Sequence, residues 1–123
     1  MTEPLQISAE TVDADGRPVG VVTVRGEVDL SNSEELAGAL TAADEESEGL
    51  VVDLSGVPFM DSSGLAVLLA AREPWRRITA VVVPDSPVAR LIEIAEVANF
   101  IHSFPARDAA VSAHAPGTGD ADD

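Results

Sequence analysis

The chain has 123 residues, one domain of ordinary size, and is 46% hydrophobic but only 3% aromatic, so its core has to be built from Val, Leu, Ile and Ala. Asp and Glu number 22 against 7 Lys and Arg, and the formal net charge of −15 repels nucleic acid and anionic membranes. Such a charge favours a partner with a basic surface, or simply keeps the protein soluble; the absence of cysteine excludes a disulfide framework, a thiol nucleophile and cysteine-based metal sites.

Met1-Thr2-Glu3-Pro4 carries neither a basic residue nor an apolar run, so no signal peptide is expected. No segment approaches the ~18 uninterrupted apolar residues of a membrane span, and a cytoplasmic location is the expectation. Leu5-Gln6-Ile7-Ser8 alternates as a short first strand, and the Asp15-Gly16 pair signals a hairpin. Residues 19–25 are the antiparallel second strand, with Pro18 at its entrance, where a missing N–H does little harm. Gly26-Glu27-Val28-Asp29 ends that strand. Ser31, Asn32 and Ser33 offer caps for a helix over 32–46, with Glu34 and Glu35 at its positive end and Leu36, Ala39, Leu40 and Ala43 on its apolar face.

Residues 51–71 organise the rest. Leu50-Val51-Val52-Asp53-Leu54 is almost continuously apolar, as a strand buried on both faces should be. Gly56 and Pro58 break it, and Phe59 and Met60 are expected to anchor the turn onto the core. Asp61-Ser62-Ser63-Gly64 is a helix start, since Asp and Ser oxygens accept bonds from the unpaired N–H groups of a first turn. Leu65, Leu68 and Leu69 then recur at helical spacing, and Pro74 ends the helix near Glu73. A hydroxyl is therefore expected at the mouth of a helix beyond the C-terminal end of a strand, where open α/β sheets place their chemistry. Trp75, with Arg72, Arg76 and Arg77 nearby, lies in the following turn. Residues 78–83 are a buried strand. Asp85-Ser86-Pro87 caps a third helix with inner residues Val88, Leu91, Ile92 and Ala95, and residues 100–104 form a last strand. Residues 108–112 can make one or two helical turns, and 114–123 read as a disordered acidic tail. The order β-β-α-β-α-β-α-β implies a largely parallel sheet with an antiparallel edge. Patterning leaves open how the helices divide between its faces.

Ser62 and Ser63 admit a plain reading as capping hydroxyls, and Asp29 and Asp61 as caps of backbone N–H groups. Phe59, Met60, Leu65 and Leu68 read as core. A serine hydrolase is the enzymatic reading, but Met60 holds the first glycine position of a Gly-x-Ser-x-Gly elbow around Ser62. Its histidines are His102, in a strand, and His114, in the tail, so no triad emerges. No Walker cradle and no histidine–carboxylate metal motif is present, and neither a metal nor a cofactor is expected.

The run Val52-Asp53-Leu54-Ser55-Gly56-Val57-Pro58-Phe59-Met60-Asp61-Ser62-Ser63-Gly64-Leu65 resembles the signature of the bacterial anti-sigma factor antagonists, which are single STAS domains. Gly26-Glu27-Val28-Asp29 is similar to their Gly-Glu-Leu-Asp turn, and Pro87-Val88-Ala89-Arg90-Leu91 to the start of their third helix. The resemblance covers residues 5–105 in order and spacing. It implies a STAS-like α/β fold: a mixed, largely parallel sheet with an N-terminal β-hairpin and three to four helices. The STAS domain would span 1–105, followed by a short segment and acidic tail over 106–123. It implies that Ser62 is phosphorylated by a partner anti-sigma factor that is itself a serine kinase, with Ser63 the alternative acceptor, and that a PP2C-type phosphatase removes the phosphate. The unphosphorylated form would bind the anti-sigma factor and release the sigma factor, through Asp29, Asp61, Ser62, Ser63 and Gly64. On this reading the chain is a kinase substrate and not an enzyme, a monomer or weak dimer. The alternative within the same fold is a STAS subunit of a signalling scaffold or of a membrane lipid-transport complex. The sequence departs from the family pattern at Pro74-Trp75-Arg76-Arg77, where a glycine-rich turn is usual, and at Glu96, where a helix-ending glycine is usual.

Overall fold

Asp15 and Gly16 set the register of the first two strands. Both have positive φ, 53° and 94°, the backbone of a two-residue type I′ turn. The turn joins β1 (Gln6–Ala14) to β2 (Arg17–Arg25) in an antiparallel ladder that runs from Ala14 opposite Arg17 to Gln6 opposite Arg25. The first strand is thus longer than the apolar alternation over 5–8 predicts, because a fixed register gives every residue from Gln6 onward a partner. The computed structural model describes residues 4–71 and 78–116. The end of the second helix and the turn holding Pro74 and Trp75 lie outside the described residues.

The remaining elements follow the order read from the sequence: α1 (Ser33–Asp44), β3 (Gly49–Gly56), α2 (Ser62–Ala71), β4 (Ile78–Val81), α3 (Pro87–Ile94), β5 (His102–Phe104) and α4 (Arg107–Ser112). The five strands stand in the sheet in chain order, β1-β2-β3-β4-β5, and all pairs after the hairpin are parallel. Each crossover therefore steps the same way, and right-handed crossovers that step the same way lay their helices on one face. Leu36 and Leu40 of α1, Leu65 and Leu68 of α2, and Val88 and Ile92 of α3 all bury against Val22, Val52 and Ala80 of the sheet. Leu91 is only partly buried and Ala95 is exposed.

The opposite face is covered by α4, which the chain reaches only after the last strand. Ala110 packs there on Val19, Val21, Val51 and Val81. A polar clasp holds the start of α4. Arg107 Nη1 donates to Glu10 Oε2 at 2.9 Å, and its Nη2 to Thr23 Oγ1 at 2.8 Å and Asp53 Oδ2 at 3.3 Å. Asp53 is buried, and its other oxygen accepts from the N–H and hydroxyl of Ser55 at 3.0 and 2.7 Å. Burial pushes the Asp53 carboxyl up, but the Ser55 hydrogen bonds and the Arg107 guanidinium together hold it below its ordinary value.

The chain beyond α4 corrects the expectation of a disordered tail from His114 onward. His114 is fully buried, with Nε2 at 3.1 Å from both Thr79 Oγ1 and Leu50 O. Arg17 Nη1 donates to its carbonyl at 3.1 Å, and Ala115 is buried with the far-face core. The imidazole lies over Gly49, where a Cβ would stand 2.5 Å from Nδ1, so the first residue of β3 has no side chain for a steric reason. Residues 117–123 lie outside the described part.

Two helix ends are set by sequence-local chemistry. Ser86 caps α3 by accepting from Ala89 N, with Pro87 at the first helical position. At the other end Val97 N donates to Ile92 O and Glu96 N to Glu93 O, the paired bonds of a Schellman motif, and Val97 packs on the core that holds Ile92. Glu96 takes the left-handed position of that motif with φ 60°, the conformation that glycine adopts without steric strain.

Replacing Glu96→Gly is expected to raise the unfolding free energy by about 1 kcal/mol, read from urea or thermal unfolding. Acid unfolding provides a second check. A carboxyl depressed by folding contributes stability that is fully present above its unfolded pKa of ~3.9 and is lost as pH falls through the lower folded value. The stability difference between the wild type and Asp53→Asn should therefore hold steady at neutral pH and shrink as pH drops below that of free aspartate.

Candidate functional site

The site is built where the loops leaving β2 and β3 meet. Gly26 N donates to Gly56 O at 3.1 Å, Val28 N to Phe59 O at 3.0 Å, and Asp61 N to Val28 O at 3.1 Å. These bonds continue the parallel pairing as an isolated bridge between Val28 and Met60, both buried. The loop carrying Asp29 is thereby fixed against the loop carrying Asp61, Ser62 and Ser63.

Within each loop an aspartate ties down the serine two residues on. Asp29 Oδ1 accepts from the N–H and hydroxyl of Ser31, and Asp61 Oδ1 from the N–H and hydroxyl of Ser63; the N–H bonds are 2.9 Å in both. Asp53 and Ser55 repeat the arrangement. The Asp-x-Ser spacing therefore recurs at 29–31, 53–55 and 61–63, a signal present in the sequence that pattern reading passed over. The Ser63 hydroxyl holds the Asp61 carboxyl below the ordinary aspartate value against the opposing effect of desolvation, aided by the N–H groups of Ser63, Gly64 and Leu30.

Asp61 also takes the capping role at α2, since its carbonyl accepts from Gly64 N and Leu65 N at 3.1 and 3.3 Å. The reading of Ser62 as helix cap is thus corrected. Ser62 is the exposed first residue of α2, and its hydroxyl has no hydrogen-bond partner among the described residues. Ser63 is half-buried with its hydroxyl already donated. Gly64 is buried, and a Cβ there would lie 2.7 Å from Met60 Cγ and 2.8 Å from Val28 Cγ1. It is a packing position that lets α2 approach the bridge. Asn32 caps no helix N–H with its side chain; it spans the first loop instead, from Asp29 N to Glu27 O.

Of the apolar residues assigned to the core, Met60, Leu65 and Leu68 are buried, but Phe59 is half exposed. Val57 and Met60 already fill the inward positions of that turn, so Phe59 points out. Leu30, between Asp29 and Ser31, is 79% exposed, and Val83, just beyond β4, is also open. All three follow the C-terminal ends of parallel strands, the end of the sheet that carries Ser62. The histidines lie elsewhere: His114 packs over Gly49, at the opposite end of β3, and His102 pairs with Thr79. Ser62 has no imidazole to take its proton. Among the described residues no three His, Asp or Glu side chains gather as a metal site, and no helix is long and apolar enough to cross a membrane.

Comparison with known proteins matches a STAS domain to residues 7–110. The chain belongs to the STAS-domain family of anti-sigma factor antagonists. The anti-sigma-F factor antagonist RsfA of Mycobacterium tuberculosis is 32% identical over 99 residues, which cover 76% of this chain and 77% of RsfA. The crystal structure of an anti-sigma factor antagonist from Mycobacterium paratuberculosis superposes with a TM-score of 0.79 at 27% identity, covering 92% of this chain and 97% of that one. The unphosphorylated form of the anti-sigma factor antagonist SpoIIAA shares the fold with a TM-score of 0.62 at 18% identity, over 85% of this chain and 92% of that one. The STAS match reaches into α4, so the start of the far-face helix, with Arg107 and Ala110, lies within the matched region.

The packing at the start of α2 yields a paired expectation. Gly64→Ala should destabilise this STAS domain by about 1–3 kcal/mol, because the added methyl meets Met60 and Val28 inside a filled core. Ser62→Ala should stay within about 0.5 kcal/mol of wild type, since its hydroxyl holds nothing. Urea unfolding of the two variants side by side checks both.

Proposed function

We propose that this protein is an anti-sigma factor antagonist that works by partner switching in the cytoplasm. In its unphosphorylated form it binds an anti-sigma factor that is also a serine kinase, and so releases a sigma factor. Phosphorylation of Ser62 ends the binding, and a PP2C-type phosphatase restores it. Membership of the family supports the antagonist role, and the similarity to RsfA, an anti-sigma-F factor antagonist, points the same way. The observation that carries the choice of residue is the contrast between the two serines. The Ser62 hydroxyl is exposed and uncommitted, whereas the Ser63 hydroxyl is donated to Asp61.

The chemistry asks little of this chain. The Ser62 oxygen attacks the terminal phosphorus of ATP, ADP leaves, and the hydroxyl proton passes to a base of the kinase. The product adds roughly −1.5 to −2 charges at the first residue of α2. Helix N-terminal N–H groups favour that charge by about 0.3–1 kcal/mol, and the neighbouring Asp61 carboxylate opposes it. The apolar side chains of Leu30 and Phe59 stand on the same end of the sheet as the anchors of the docked state. A phosphate among them would have to lose its water on docking. The block therefore falls on the interface and not on the fold.

Intact-mass analysis after incubation with a candidate anti-sigma kinase and ATP tests the assignment. Wild type and Ser63→Ala are expected to gain one phosphate, and Ser62→Ala none. Ser62→Asp is expected to bind the anti-sigma factor about tenfold or more weakly, a loss of roughly 1.4 kcal/mol. Phosphate retained in Ser62→Ala and lost in Ser63→Ala would reverse the assignment.

A further inference from the structure

β1 is the outer strand of the sheet, and its free side borders a groove. Ala14 and Arg17 close the two-residue turn as a hydrogen-bonded pair, so Val12, Glu10 and Ser8 spend their backbone groups on β2. The N–H and C=O groups of Ile7, Ala9 and Thr11 therefore point away from the sheet. The side chains of Ile7 and Ala9 lie on the face of their partners Val24 and Val22, the face that α1 covers. Between this edge and α1 opens a groove of about 590 Å³. Its floor on the helix side is made of Ala39, Ala42 and Ala43, which are too small to close it. Glu35 stands at one end of that bank and Glu46 at the other, neither with an ionic partner among the described residues. The mouth by Leu5 adjoins Gly26 and so opens toward the Asp29 loop.

We propose that this groove receives an extended, cationic segment of a partner protein, which adds to β1 as a further strand and sets small apolar side chains on the alanine floor and basic ones against Glu35 and Glu46. An unpaired strand edge beside a side-chain groove is the geometry of β-strand addition: main-chain bonds give affinity, and every second side chain is read by the groove. Charge selects the occupant. A second copy of this chain, at net −15, would bring its own Glu35 and Glu46 up to the same carboxylates. A basic segment meets instead two carboxylates that have no ionic partner among the described residues. The other edge of the sheet offers no such platform, because β5 has three residues. The site is separate from Ser62, and its test involves neither kinase nor ATP.

The probe is the peptide Lys-Thr-Ala-Thr-Ala-Thr-Lys, whose alternate positions present two alanines flanked by two lysines, with Glu-Thr-Ala-Thr-Ala-Thr-Glu as control. Amide NMR spectra of the full chain are recorded at low salt during titration with each. The lysine peptide is expected to shift the amides of Ile7, Ala9, Thr11 and residues 39–43, and the glutamate peptide to leave them in place. Ala9→Pro removes one outward N–H without touching the β1–β2 ladder, and should weaken the lysine peptide about fivefold or more. The double variant Glu35→Gln/Glu46→Gln should weaken it by about as much without perturbing the fold, and it decides alone if Ala9→Pro proves unfolded. Equal affinity in wild type and the double variant, or shifts centred on residues 59–63, would overturn the proposal as general attraction to an acidic protein. Self-association of the chain that Ala9→Pro abolishes would overturn it in favour of a second copy.

Discussion

Everything at the functional end of this domain depends on one residue of parallel pairing past the regular ends of β2 and β3. Val28 donates to Phe59 O and accepts from Asp61 N, so two loops that would otherwise diverge are held at strand spacing. That contact buries Val28 and Met60, and their side chains then leave room only for glycine at position 64. With α2 seated so closely, its first turn is satisfied by Asp61, whose carboxylate takes both donors of Ser63. The free hydroxyl of Ser62 is the remainder of that arrangement. It is left over because the preceding aspartate has done the capping that a serine at a helix start usually does.

The same dependence explains which parts of the molecule could be read from the sequence. The apolar run of β3, the breakers Gly56 and Pro58, and the helical spacing of Leu65 and Leu68 are local signals, and each element lies where those signals put it. Family and fold class were likewise legible, because the Asp-Ser-Ser-Gly motif comes with its strand–turn–helix setting. The roles inside the motif were harder to read. Either serine can cap a helix, and only the side-chain geometry shows that Asp61 selects the second. Phe59 was misread because a turn between buried segments looks apolar throughout, while only Val57 and Met60 can face inward.

Contacts distant in sequence were hidden for a different reason. His114 is a single imidazole between alanines in a segment whose composition resembles a tail, and its partners Leu50 and Thr79 are 64 and 35 residues away. No local period marks such a residue. The clue lay at the other end of the contact, in a glycine opening a strand whose next three residues are Leu50, Val51 and Val52: Gly49 is the imprint of the imidazole that lies over it. Arg107 was equally silent, since an exposed arginine at a short helix reads as a solvated charge until Glu10, Thr23 and Asp53 are seen to converge on it.

The sheet thus separates what holds the domain together from what a switch at Ser62 would have to change. Its far face is sealed by α4, the Arg107 clasp and His114, none of which reaches the loops around Ser62. A phosphate there would sit in solvent at a helix N-terminus, where the favourable dipole and the nearby Asp61 carboxylate act in opposite senses, each on the order of 1 kcal/mol or less. Burying the same dianion against a partner would demand a desolvation of several kcal/mol unless cations met it. The two magnitudes differ enough that the modification can leave folding almost untouched and still decide docking. That separation requires the acceptor hydroxyl to have no structural duty. Ser62 meets the requirement, and Ser63, bound to Asp61, does not.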